Sequence, residues 1–148
     1  MAYPEKLDAI IAIFESLSEE ERRENLVNFA LGAEKWRPAK DEQFHLQDVR
    51  KDKQCIDTVG VFLRIEGRRA RFKILLGPNV QTLTRAMTTI LCRGLDNCDV
   101  EEILELPEDF IMKIVGSPLV LTRSQSIYYM FSRMKDALQS YRDQQQSV

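Results

Sequence analysis

The chain is poor in the residues that build metal sites and disulfide frameworks. It holds three cysteines, Cys55, Cys92 and Cys98, and a single histidine, His45. An odd number of thiols without a C-x-x-C spacing leaves at least one unpaired, and reduced thiols are the expectation in a chain that lacks a secretion pattern. A zinc site would have to recruit His45 with all three thiols, none at finger spacing, so no metal site is expected. Long apolar runs are also missing; none approaches the roughly 20 residues of a helical membrane span. The opening Met1-Ala2-Tyr3-Pro4-Glu5-Lys6 has neither the charged-then-apolar order of a signal peptide nor the Arg- and Ser-rich character of a transit peptide, which reads as cytoplasmic. An excess of one charge is absent too. Lys and Arg number 21 against 23 Asp and Glu, a net charge of -2, which disfavours a nucleic-acid binder working through its overall field.

What is present describes one ordinary domain. In 148 residues, 44% are hydrophobic and 30% charged, which excludes a disordered, collagen-like or mucin-like chain. A chain of this length buries roughly 70% of its unfolded surface without needing a staple. Residues 1–143 read as the domain, and 144–148 as a polar tail.

The order of elements reads helix, helix, sheet, helices. Leu7, Ile10, Ile11, Phe14 and Leu17 follow the spacing of one apolar helix face. Ser18-Glu19-Glu20-Glu21 has the form of a capping box opening a second helix through Ala33. Trp36 to Gln43 reads as a loop. Val59, Val61, Leu63 and Ile65 then alternate with other residues up to Gly67, and Ala70, Phe72 and Ile74 alternate with Arg69, Arg71 and Lys73. Period 2 on both sides of a glycine is a hairpin with one buried and one basic face. A third strand is expected near Phe44 to Val49. Pro78-Asn79 is expected to open a helix that ends at Gly94, Asp99 to cap a short one, and Glu108 to Val115 to form another. Thr122-Arg123-Ser124-Gln125 reads as a second capping box before a long final helix. The fold class is α+β, a small antiparallel sheet covered by helices.

The three thiols differ. Cys92 lies in the apolar run Thr89-Ile90-Leu91-Cys92, where a cysteine behaves as a small buried hydrophobe. Cys98 precedes a helix start, which favours a thiolate, but Asp96 and Asp99 oppose it. Cys55 follows Arg50, Lys51 and Lys53 at a loop-to-strand junction. Neighbouring cations favour the thiolate there, with Asp57 acting against them. The basic hairpin face (Arg64, Arg69, Arg71 and Lys73, with Phe62 among them) reads first as a solvated strand face that discourages edge pairing. Docking of an acidic protein partner is the second reading.

With Cys55 between two N-terminal helices and a hairpin, the chain resembles the SufE family of sulfur-acceptor proteins over about Leu7 to Tyr141. The resemblance begins at Leu26-Val27-Asn28-Phe29-Ala30 and continues through Gln54-Cys55-Ile56-Asp57-Thr58-Val59, where the family has Gly-Cys-x-Ser-x-Val-Trp. It then follows the helix Leu83 to Leu91, the segment Asp99 to Ile103, and Leu121-Thr122-Arg123-Ser124-Gln125 in family order. Departures occur at Gln54, Asp57 and Gly60, at Pro78-Asn79-Val80, at Ala86 and at Ser126, which make this a divergent member. The resemblance implies a fold similar to the scaffold protein IscU. It also implies that Cys55 receives sulfur as a persulfide and that Arg123 stabilises the thiolate or persulfide anion.

The function so implied is that of a sulfur carrier, not a self-sufficient enzyme. It would take persulfide sulfur from a pyridoxal-phosphate-dependent cysteine desulfurase and pass it to an iron–sulfur scaffold, with no cofactor of its own and no nucleic-acid or membrane partner. Two alternatives stand beside it. One is a SufE-like interaction or regulatory module that no longer transfers sulfur. The other is an iron–sulfur or zinc scaffold using three thiols, which burial of Cys92 would exclude.

Overall fold

A computed structural model describes residues 3–51, 57–116 and 125–146. The first helix, α1 (Glu5–Glu15), buries Leu7, Ile10, Ile11 and Phe14, the apolar face that their spacing implies. The second, α2 (Glu19–Leu31), opens on the expected capping box. The Glu21 N–H donates to Ser18 Oγ at 3.2 Å, and the Ser18 N–H donates to the Glu21 carboxylate at 3.0 Å. Two donors that a helix start leaves unsatisfied are thereby used. The helix stops at Leu31, short of Ala33, and the chain tightens into a 3-10 turn, Ala33–Trp36.

Among the described residues, four strands form one antiparallel sheet in the order β1-β2-β3-β4. The hairpin is β2 (Val59–Glu66) and β3 (Arg69–Leu76), paired from Val59↔Leu76 to Glu66↔Arg69. Gly67 turns it at φ +65°, a conformation that glycine adopts without strain. The expected third strand is β1 (Leu46–Arg50), paired with β2 from Leu46↔Leu63 to Arg50↔Val59. The fourth, β4 (Cys98–Asp99), pairs with Ala70 and Arg69. Two residues are too short to carry an alternation, so this strand has no pattern in the sequence.

One face of the sheet carries Val59, Val61, Leu63, Ile65, Ala70, Phe72 and Ile74, all buried. Helix α3 (Thr82–Gly94) packs against β3, and α6 (Gln125–Gln146) against β1 and β2, while α1 and α2 lie over α3. Short helices α4 (Val100–Leu104) and α5 (Phe110–Val115) complete the layer. Phe14, Phe72, Phe110 and Phe131 are fully buried, and each contributes roughly 1.5–3 kcal/mol by leaving water. The architecture is the α+β arrangement read from the sequence.

Besides the end of α2, the starts of two helices differ from expectation. Helix α3 starts at Thr82 with Gln81 as its cap, not at Pro78-Asn79. The backbone of 77–80 is engaged elsewhere, its carbonyls by Arg85 and its Asn79 N–H by Asp57. Helix α5 begins at Phe110, two residues after Glu108. Helix α6 continues to Gln146, into the polar stretch at the end of the chain. The capping box expected at Thr122 to Gln125 falls, apart from Gln125, outside the described residues.

Candidate functional site

Cys55 and Arg123, the two residues assigned roles from the sequence, both lie outside the described residues. The structure does describe the frame on either side of them. β1 ends at Arg50 directly across from Val59, where β2 begins. The connection that contains Cys55 therefore runs between two strand ends fixed by sheet pairing.

Asp57 locks the second of those ends. Its carboxylate accepts the N–H of Thr58 at 2.7 Å and of Asn79 at 2.8 Å, clasping the start of β2 to the turn between β3 and α3. The Gly77 N–H adds a bond to the Thr58 carbonyl at 2.9 Å. A Cβ at position 77 would collide with the Asp57 carboxylate, so the clasp requires glycine there. The Asn79 N–H, then the Thr58 N–H, hold the Asp57 carboxyl below its usual range, helped by the charges of Lys51 and Arg85 against desolvation, which acts the other way. Asp57 thus stays ionised, with its charge balanced by two backbone donors and two cations.

Arg85, on the first turn of α3, holds the same turn from the other side. It donates to the carbonyls of Val80 at 3.1 Å, Gly77 at 3.1 Å and Pro78 at 3.3 Å. Next to it in the sequence, Thr84 meets Ser126 hydroxyl to hydroxyl at 3.0 Å, which fixes the start of α6 against α3. Arg133 of α6, only 2% exposed, donates to the Asp48 carboxylate at 3.2 Å and to the Asp48 carbonyl at 2.6 Å, tying α6 to β1. Neither Arg85 nor Arg133 carries a signal in the sequence. Each is one charged residue in a helix, and only tertiary placement gives it a partner.

The other two thiols are poor nucleophiles. Cys92 is fully buried in α3, and burial pushes its thiol far above the ordinary range, so the acid form persists. The sequence reading of a buried cysteine holds, and one of the three thiols that a scaffold would need is removed. Cys98 is pushed up to about 11, by burial first and then by Glu102 and Asp96. Acidic neighbours act in the direction read from the sequence, but burial is the larger cause.

His45 also has a structural task. Its Nδ1 accepts the Ile65 N–H at 3.0 Å, and its ring meets Tyr141 edge-on at 5.5 Å. Among the described residues no group of three His, Cys, Asp or Glu side chains could hold a metal ion. The basic hairpin face is largely engaged within the chain. Arg64 pairs with Glu42 and Glu66, and Arg71 with Glu66. Arg69 donates to the Asn97 carbonyl, and Lys73 lies 5.6 Å over the Trp36 ring. No helix among the described residues is long and apolar enough to cross a membrane.

Comparison with known proteins finds no matching family model and no matching curated protein. Solved structures do share the fold. A hypothetical protein from Thermus thermophilus superposes with a TM-score of 0.76 at 20% identity, over 95% of this chain and 98% of that one. The N-terminal part of a nitrogen-fixing NifU-like protein from Brucella abortus superposes with a TM-score of 0.62 at 17% identity, over 85% of this chain and 99% of that one.

Proposed function

We propose that this protein is a sulfur acceptor for iron–sulfur cluster assembly, with Cys55 as the receiving thiol. The observation that carries the reading is the disabling of the other two thiols. Cys92 is buried and the Cys98 thiol is pushed up to about 11, which supports Cys55 as the thiol that works at neutral pH. The SufE-like resemblance points to the same residue. The fold supports it as well, since an IscU-like sheet was implied by the resemblance and a NifU-like N-terminal domain shares the architecture.

The donor is a persulfide on the active-site cysteine of a pyridoxal-phosphate-dependent desulfurase. The Cys55 thiolate attacks the outer sulfur of that persulfide. A new S–S bond forms on Cys55, the donor's S–S bond breaks, and the donor cysteine leaves as a thiolate. One sulfur atom changes hands with no net oxidation, so the step needs no cofactor on this chain. Cys55 then passes the sulfur to a scaffold by the same exchange. Arg123, by the family match, stabilises the anion on Cys55. Lys51, at the described base of the connection, supplies a further cation.

Incubation with a cysteine desulfurase and cysteine, followed by peptide mass spectrometry, tests the proposal. The Cys55 peptide should gain the mass of one sulfur atom, and Cys55→Ser should abolish the gain. A second reading, a module that stimulates a desulfurase without carrying sulfur, draws on Asp57, whose carboxylate stands two residues from the thiol and opposes its ionisation. It wins if Cys55→Ser stimulates the desulfurase as well as the parent does and no peptide gains sulfur.

A further inference from the structure

A second site is built between helices and shares no residue with the frame of the Cys55 connection. Between α2, the 3-10 turn and α3 lies an open pocket of about 640 Å³, within the range of small-molecule sites. Its walls are the half-buried rings of Phe29 and Trp36, and its mouth carries Lys35 and Arg93. Among the described residues no carboxylate lines it, although the chain holds 23 Asp and Glu. Among those residues, too, neither Lys35 nor Arg93 has an acidic partner. The guanidinium of Arg93 lies 6.0 Å over the Phe29 ring. Lys73, which donates to the Lys35 carbonyl at 3.4 Å and lies over Trp36, adds positive charge behind the pocket.

The floor supplies an independent sign of a missing partner. Thr89 of α3 is 6% exposed, and its hydroxyl has no hydrogen-bond partner among the described residues. A hydroxyl in that condition costs free energy, and native structures rarely leave one unsatisfied without reason. Two aromatic walls and two cations without acidic partners define one ligand chemistry, and the unsatisfied Thr89 hydroxyl lies in the lining between them. We propose that this pocket binds a small molecule in which a flat ring is joined to an anionic group. The ring would lie against Phe29 and Trp36, and the anion would face Lys35 and Arg93.

Trp36 is the only tryptophan of the chain, so its fluorescence reports on the pocket directly. The probe is adenosine 5′-monophosphate, which carries a ring and a phosphate; adenosine and inorganic phosphate separate the two contributions. The nucleotide should change Trp36 emission saturably. Adenosine and phosphate alone should each bind at least about tenfold more weakly, the value of one charge-assisted hydrogen bond or more. Arg93→Gln and Lys35→Gln, both at exposed positions and checked for retained circular dichroism, should each weaken the nucleotide by about the same factor. Three results would each overturn the proposal: no saturable change at millimolar nucleotide, adenosine binding as tightly as the nucleotide, or parent-like affinity in both charge variants.

Discussion

Replacing Cys92 by serine probes the thiol assignment at its firmest point. Cys92 is 0% exposed on the face of α3 that packs into the core. The substitution keeps the shape and puts a hydroxyl where a weakly polar thiol was. Burying a hydroxyl without a partner costs roughly 1–3 kcal/mol. A helical serine can bond back to the carbonyl four residues earlier, that of Thr88, which places the expected loss in the lower half of that range. Cys92→Ala, which removes about one methylene-equivalent of packing and adds no polar group, should cost about 0.8 kcal/mol and serves as the control. In a domain of this size each kcal/mol lowers Tm by about 2–4 °C. Thermal melts followed by circular dichroism at pH 7 should therefore show the Ser variant several degrees below the parent and at or below the Ala variant. Alkylation gives the parallel reading in the native parent. Cys92 should stay unmodified until the protein unfolds, and Cys98 should react slowly at neutral pH and faster towards pH 11. A Ser variant with the parent's Tm, or a Cys92 that alkylates in the native protein, would refute the burial argument and reopen the three-thiol alternative.

Three further outcomes are expected around the frame of the site. Arg123→Ala should raise the pKa of Cys55, read from the pH dependence of its alkylation, because a stabilising cation is removed; a midpoint that stays or falls takes Arg123 out of the site. Gly77→Ala should break the Asp57 clasp and speed hydrogen exchange at the Asn79 amide, since the new Cβ and the carboxylate cannot share the space. In the parent the clasp has a depressed carboxyl pKa. Its contribution is complete above the unperturbed value of 3.8 and is lost as pH falls through the lower folded value. A pH titration of the Asn79 amide with a midpoint above 3.8 would contradict the arrangement.

The sequence made the periodic parts of the fold legible because their periodicity is their cause. The spacing of Leu7, Ile10, Ile11 and Phe14, the alternation across Gly67 and the Ser18-Glu21 pair each encode a local answer that packing only confirms. It misled where tertiary bonds took over the backbone. Pro78-Asn79 looks like a helix opening, but Asp57 and Arg85 claim that turn and push the start of α3 to Thr82. β4 escaped notice because two residues have no pattern to read, and its approach depends on Asn97 at φ +60°. Within the candidate site, the character of Cys92 was readable from its apolar run. Asp57 was visible as a departure from the SufE pattern and as an acid opposing the cations beside Cys55, but not as the clasp it forms. Its partner Asn79 lies 22 positions away, a distance over which a single sequence carries no signal.

The short outer strands of the sheet bear on aggregation in a crowded solution. An open sheet invites recruitment of further strands, and long flat edges are where fibrils and swapped assemblies begin. Among the described residues one margin is β4, two residues long, and the other is β1, five residues long with Asp48 and Arg50 along it. The buried guanidinium of Arg133 already occupies a backbone carbonyl of β1. A recruited strand would have to displace that bond and match two opposite charges, those of Asp48 and Arg50. The same arrangement leaves the hairpin between them free to vary its outward side chains without creating a template for growth. Changes that lengthen β4 or release β1 from Arg133 should therefore be selected against through insolubility.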